Sequence, residues 1–362
     1  MTRLLMVGRT RYRLPLEPGL ARKFDALRAV VDLRVLASAP DDGPAGDDTF
    51  TLVEPFSPRA LDGLAFQLAL PWRVARELRG FRPDAILTQS PHEAASCLLG
   101  RRLAGSRTRV IVELHGDWRT ATRLYGSPAR RVLGPLVDRL GTAALRRADA
   151  VRTVGQYTTR LAREIGVEPA ATFPAFMDLE PFLGERRPLP ERPSVLFVGV
   201  LERYKNVDGL AQAWRTVAAR LPGAQLRIVG DGPLRGAVRS LGVRWDPKLA
   251  PAEVAAALDE ATVLVLPSRS EGMGRVLVEA FCRGRGVVAT RVGGIRDLVA
   301  DGESGLLVEP GSTPALADAL VRVLSDAELA QRLGKGAATA AGAWLQTPEQ
   351  YAERIRALVE GG

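Results

Sequence analysis

The sequence predicts an α/β protein made of two parallel sheets in series, each covered by helices on both faces. Three observations predict it. Short apolar segments alternate with longer stretches of helical spacing along most of the chain. The short segments are almost continuously apolar, as strands buried on both faces must be. The alternation breaks at ERRPLPERP (185–193), a charged stretch with three prolines, and then restarts. A chain of 362 residues also fits two cores better than one.

In the first half, LLMVG (4–8), VDLRVLA (31–37), DAILTQ (84–89), VIVEL (110–114) and DAVRTV (149–154) read as strands. Helical spacing falls on ARKFDALRAV (21–30), LPWRVARELRG (70–80) and the long segment 127–147. After the break come SVLFVG (194–199), QLRIVG (225–230), TVLVLPS (262–268), GVVAT (286–290) and GLLVEP (305–310). The segment TPEQYAERIRALVE (347–360) reads as an isolated amphipathic helix. Two such domains place a ligand in the cleft between them, at the carboxyl ends of the strands.

Composition excludes several classes. With 46% hydrophobic and 25% charged residues the chain is of the soluble globular type. No apolar run approaches the ~18 residues of a membrane span. The only apolar segment near the start, LLMV, is too short for a signal-peptide core, so the expected location is the cytoplasm. Two cysteines, Cys97 and Cys282, do not make a disulfide framework. Two histidines, His92 and His115, with no cysteine cluster, argue against zinc. The net charge of +9 is uneven: residues 1–190 carry 29 Lys/Arg against 21 Asp/Glu, and residues 191–362 carry 21 against 20. Such a bias suits an acidic substrate or an anionic membrane surface. Nearly all the cations are arginines, which a GC-rich genome also produces. No basic stretch is interleaved with stacking aromatics, so nucleic acid is not an expected partner.

The second half carries glycine turns at its strand ends: Gly199 in FVGVLERYKN, Gly230 and Gly232 in IVGDGPLRG, Gly272 and Gly274 in SEGMG, and Gly293 and Gly294 in RVGGIRD. The segment GDGPLRG has the wrong spacing for a dinucleotide fingerprint and does not follow the first strand of its domain. Taken in order, VG-x-L-x4-N-x-D, IVGDGPL, LPS-x-x-EG-x-G-x4-EA, VVAT-x-x-GG and DG-x-x-GLLV resemble the retaining glycosyltransferases of the GT-B fold, family 4. In the first half EPG (17–19), ELHGD (113–117), TVGQYTTRL (153–161) and FPAFMDLEPF (173–182) are similar to the same family, so the resemblance covers essentially the whole chain.

The resemblance implies a GT-B fold, two Rossmann-like doubly wound domains facing across a cleft. Residues 1–187 would bind the acceptor, residues 188–345 the nucleotide sugar, and 346–362 would cross back to the first domain. In SRSEGMGRVLVEAF (268–281) the glycines and a helix from Arg275 to Arg283 make an anion site for the diphosphate. A carboxylate against that diphosphate would be repelled. Glu271 and Glu279 are therefore expected on neutral hydroxyls, where each charge-assisted hydrogen bond is worth roughly 1.5–3 kcal/mol. Glu279, one turn into the helix, suits the ribose diol. Glu271 suits the transferred sugar, in a catalytic role.

Of the two cations the family usually supplies to the leaving diphosphate, Lys205 matches, while Val200 stands where an arginine is usual. Arg203 or Arg275 is the expected substitute. By resemblance, His115 binds the sugar near the reacting centre, Gly19 approaches the donor or acceptor, and Gly272, Met273 and Gly274 form the donor loop. Trp245 either stacks under the base or packs in the core, and Asp297 has no assigned role.

No metal and no separate cofactor are expected, because arginine, lysine and backbone amides can carry the diphosphate. The expected reaction is transfer with retention through an oxocarbenium-like transition state. The expected partners are a nucleotide sugar and an acidic or lipid-linked acceptor, with peripheral contact at the inner face of the plasma membrane. Two other readings stay open: a nucleotide-sugar-binding protein without catalysis, prompted by Val200, and a Rossmann-type oxidoreductase.

Overall fold

Strands that must lose all their water are the most apolar ones, and they form the middle of two parallel sheets. The computed structural model describes residues 1–41, 46–119 and 128–361. Two units emerge, residues 1–176 with 346–362 and residues 177–345. The first holds β1 (Arg3–Arg11), β2 (Asp32–Ser38), β3 (Phe50–Val53), β4 (Ala85–Thr88), β5 (Arg109–Leu114), β6 (Ala150–Thr153) and β7 (Ala171–Thr172). Their spatial order is β3-β2-β1-β4-β5-β6-β7, and every pairing is parallel.

The helices of this unit are α1 (Pro18–Val30), α2 (Asp62–Gly80), α3 (Pro91–Ala104), α4 (Pro128–Arg147) and α5 (Gln156–Glu164). Alternate strand residues divide between the faces. Leu4, Met6 and Val35 pack with Phe24 and Leu27 of α1, while Leu5, Val7 and Ile86 pack with Phe66, Leu70 and Val74 of α2.

The second unit holds β8 (Ser194–Val198), β9 (Gln225–Val229), β10 (Arg244–Asp246), β11 (Val263–Leu266), β12 (Gly286–Thr290) and β13 (Gly305–Val308). Its order is β10-β9-β8-β11-β12-β13, again parallel throughout. Its helices are α6 (Val207–Arg220), α7 (Arg235–Arg239), α8 (Pro251–Asp259), α9 (Arg275–Cys282), α10 (Ile295–Leu298), α11 (Thr313–Ser325) and α12 (Ala327–Ala341). Every residue of β11 and β12 is buried, as central strands covered on both faces require. The last helix, α13 (Pro348–Glu360), belongs to the first unit. Its Tyr351, Ala352, Ile355, Leu358 and Val359 join the core around Phe24 and Leu27. Burying an aliphatic side chain of this size is worth about 1.5–3 kcal/mol, enough to dock the helix.

The structure departs from the sequence reading in three places. The boundary between units falls after Phe176 rather than after residue 187. Met177, Leu179 and Phe182 pack into the second core, and Arg283 donates to the carbonyls of Phe182 and Glu185 while Arg285 donates to that of Pro188. The proline-rich stretch is thus tied down along the second unit. Strands β3, β7 and β10 had no strand expectation; all three are sheet edges, too short or too exposed to show an apolar run. Finally, α2 begins at Asp62, well before the expected Leu70, and continues through Pro71. Proline lacks the N–H that would meet the carbonyl of Gln67; the Ser96 hydroxyl lies 3.5 Å from that carbonyl and donates to the Gln67 side-chain oxygen at 3.1 Å. Of the expected helix 127–147, position 127 lies outside the described residues.

Candidate active site

The loops after β8 and β11 emerge at the same carboxyl edge of the second sheet. After β8, Gly199 and Leu201 donate their N–H groups to the carbonyls of Val229 and Asp231, which fixes the loop against its neighbour. A single turn of 3₁₀ helix, Arg203–Lys205, follows, and Asn206 in the left-handed region opens α6. After β11, the Arg269 N–H donates to the carbonyl of Tyr204 at 2.7 Å, and its side chain reaches the carbonyl of Arg203 and the carboxylate of Asp208. The two loops are one stitched surface.

Lys205 and Glu271 close the stitch. The Lys205 ammonium lies 2.7 Å from Glu271 Oε2, and Ser268 Oγ donates to the same oxygen at 3.0 Å. Both side chains are largely buried. The loop then runs through Gly272 and Met273 to Gly274, whose φ of +80° only glycine adopts cheaply, and α9 starts at Arg275. The first N–H groups of a helix have no partner inside it, so this end favours an anion. Gly294, in the turn after β12, lies so close that a Cβ there would meet the Gly272 carbonyl oxygen at 2.1 Å. Its own N–H donates to the Glu271 carbonyl at 3.3 Å.

Glu279 is buried one turn inside α9, and its carboxylate takes the Arg275 Nε–H at 2.8 Å. Burial pushes the Glu279 carboxyl above its ordinary value, with Arg275 opposing. Six of the expected donor residues, Lys205, Glu271, Gly272, Met273, Gly274 and Arg275, therefore form one contiguous surface, with Glu279 beneath it. Arg203 is exposed at its rim, and no described residue forms an ion pair with it. Val200 is 45% exposed beside it, leaving its position without a positive charge. Trp245 packs against the second core, its indole N–H donating to the Gly230 carbonyl at 2.8 Å. Asp297 is exposed on α10.

The other two expected residues lie on the first unit. Gly19 sits in the first turn of α1, behind Pro18, rather than in an open loop. His115 directly follows β5, half-exposed, with Nε2 at 3.6 Å from Glu113 Oε2. Glu113 is buried, and its other oxygen pairs with the fully buried Arg152. Burial alone would raise the Glu113 carboxyl; Arg152, His115 and Lys23 outweigh it and hold the group at about 2. Arg152 also donates to the carbonyls of Phe173 and Pro174, at 2.9 and 2.8 Å. Sequence reasoning assigned no role to Glu113, Arg152 or Ser268. An arginine within the expected strand segment DAVRTV was the available signal for the buried pair.

A cavity of about 590 Å³ opens at the opposite, amino-terminal edge of the second sheet, lined by Ser194, Gln225, Arg227, Arg244 and Glu260 among others. Its charged groups neutralise one another, with Arg227 and Arg244 both on Glu260. It has none of the glycine turns, so the loop surface is the better site. Among the described residues no cluster of three His, Cys, Asp or Glu side chains is arranged to hold a metal, and no helix is long and apolar enough to cross a membrane.

Two parallel Rossmann-like sheets, one carrying an anion loop flanked by carboxylates, define the GT-B class of α/β protein, and the solved structures agree. Sucrose-phosphate synthase from Thermosynechococcus elongatus superposes with a TM-score of 0.77 at 20% identity, covering 99% of this chain and 100% of that one. The Anabaena protein HepE, solved with UDP, superposes with a TM-score of 0.71 at 18% identity over 100% of both chains. Two family models match in succession, the glycosyl transferase 4-like domain over residues 18–174 and glycosyl transferases group 1 over residues 192–326. The chain belongs to this glycosyltransferase family. Among curated relatives, the α-D-kanosaminyltransferase of Streptomyces kanamyceticus is 35% identical over 164 residues; the match spans 43% of this chain and 42% of the relative.

Proposed function

We propose that the protein is a retaining glycosyltransferase that moves a hexose from a nucleoside-diphosphate sugar to an acceptor hydroxyl. The observation that carries this reading is the contiguous surface of Lys205, Glu271, the Gly272–Gly274 loop and the start of α9, with Glu279 buried beside it. It offers backbone N–H groups and two flanking cations to a diphosphate, and carboxylates to the hydroxyls on either side.

In the proposed reaction the acceptor oxygen bonds to the anomeric carbon on the face the diphosphate leaves. The bond from that carbon to the phosphate oxygen breaks, and the departing phosphate takes the acceptor proton. Lys205, held in place by Glu271, and Arg203, exposed and without an ion pair among the described residues, stabilise the charge that develops on the leaving group. Arg203 thus takes the part that an arginine at position 200 would play. Glu279 accepts from the ribose diol once Arg275 turns from it to the phosphates. His115, backed by Glu113, holds the transferred sugar. The reaction needs no metal. The positive excess of residues 1–190 favours an acidic or lipid-linked acceptor.

Thermal shifts with UDP, GDP, ADP and dTDP test the donor site, with UDP first because the HepE structure holds it. Transfer from the matching sugar nucleotides, with the anomeric configuration of the product read by NMR, then tests the reaction. Turnover with retention, lost in Glu271→Ala, is the expected result. No stabilisation by any nucleoside diphosphate would sink the reading. Val200 favours one alternative, a binding protein without catalysis; stabilisation by a nucleotide sugar with neither transfer nor hydrolysis would establish it.

A further inference from the structure

The three adjacent helices α2, α3 and α4 turn an unusual outer face to solvent. On α2, Leu64, Leu68 and Trp72 follow one another a turn apart and are 58%, 61% and 65% exposed. The same stripe continues with Arg76 and Arg79. Leu99 and Leu103 are exposed one turn apart on α3, and Leu136 and Leu140 likewise on α4. Single exposed leucines need no explanation, but a run of them across three packed helices does.

The charges of the same helices are sorted. Their sequences hold four carboxylates in all, Asp62, Glu77, Glu93 and Asp138, and every one is buried. The exposed charges among the described residues are Arg76, Arg79, Arg102, Arg139, Arg146 and Arg147. None of these six forms an ion pair with a described residue. The face is therefore apolar and cationic at once, with no carboxylate among the described side chains turned outward.

We propose that the outer face of α2–α3–α4 is a docking surface for a bilayer rich in anionic phospholipid, with Leu64, Leu68 and Trp72 entering the headgroup boundary and the arginines meeting lipid phosphates. Charge complementarity selects this occupant. A second copy of the face would set arginine against arginine, and a nucleic acid would leave the leucines without apolar partners. A bilayer of anionic lipid satisfies both features. The inference concerns where the protein works, and it stands whether or not the donor is a nucleotide sugar.

Co-sedimentation of the full chain with vesicles tests it. Binding to phosphatidylcholine vesicles containing about one-third phosphatidylglycerol is expected, with little binding to phosphatidylcholine alone and weakening as salt rises. The triple variant Leu64→Ser/Leu68→Ser/Trp72→Ser is expected to lose about tenfold or more in affinity for the anionic vesicles, with melting temperature and nucleotide binding unchanged. Arg76→Gln/Arg79→Gln is expected to lose affinity and to flatten the salt dependence. Failure to bind anionic vesicles, or binding that both variants retain, overturns the proposal. So does light scattering that shows an oligomer in the unmodified protein and a monomer in the triple variant.

Discussion

The ammonium of Lys205 lies 2.7 Å from Glu271 Oε2 and so joins the loop after β8 to the loop after β11. Two residues that the sequence offers as separate contacts to a donor are each other's counter-ions. Removing one partner leaves a largely buried charge alone, which costs about 3 kcal/mol or more. Lys205→Met and Glu271→Leu are each expected to lower stability by that order, and the double variant by clearly less than the sum. Urea titration of the four proteins gives the coupling energy, expected within the 0.5–3 kcal/mol typical of contacting pairs, at about the upper half. Additive losses would mean that the pair does not hold the loops together. Nucleotide binding should fail in all three variants, because each unseats the loop.

Gly294→Ala is expected to remove nucleotide binding while costing about 1–3 kcal/mol, since the new methyl must push the Gly272 carbonyl out of place. Gly223→Ala is the control: no atom lies within 4 Å of a Cβ at Gly223, and the substitution should leave both properties alone. Thermal shift with a saturating nucleoside diphosphate reads both effects. An alanine at 294 that binds nucleotide as well as glycine would show that the turn after β12 is no part of the site.

Glu113 gives a pH dependence with a definite sign. Its folded carboxyl sits at about 2, against an ordinary value of 4.5. A depressed carboxylate adds stability that is fully present above the unfolded value and is lost as pH falls towards the folded one. Glu113→Gln is expected to melt well below the unmodified protein at pH 7, because Arg152 is left buried and unpaired. The gap between the two should narrow as pH drops from about 4.5 towards about 2, as thermal melts at stepped pH would show. A gap constant across that window would mean that the pair is not ionic.

Much of the fold was legible because parallel sheets write themselves as apolar runs. Val195–Phe197 of SVLFVG and the whole of GVVAT are buried. Strands β3, β7 and β10 left no such trace because they are short and only partly buried. The helix α2 hid behind Pro71, a strong stop signal in sequence that the helix nevertheless continues through, from Asp62 to Gly80. The candidate site was legible as a set of residue types, and Glu279 lies where helical spacing put it. Its pairings were not legible. Lys205 and Glu271 are separated by 66 positions, and no local pattern says that they will meet.

The segment that carries α13 has a consequence for synthesis. Tyr351 lies against Phe173 and Phe176, and Ile355 and Leu358 complete the core around Phe24 and Leu27. A ribosome releases the chain in order, so residues 1–176 emerge with a strip of that core still bare. Residues 177–345 are contiguous and can close on their own. The half that begins first is thus finished last, and until residues 348–360 arrive it displays an apolar groove that a chaperone, or a neighbouring nascent chain, can occupy.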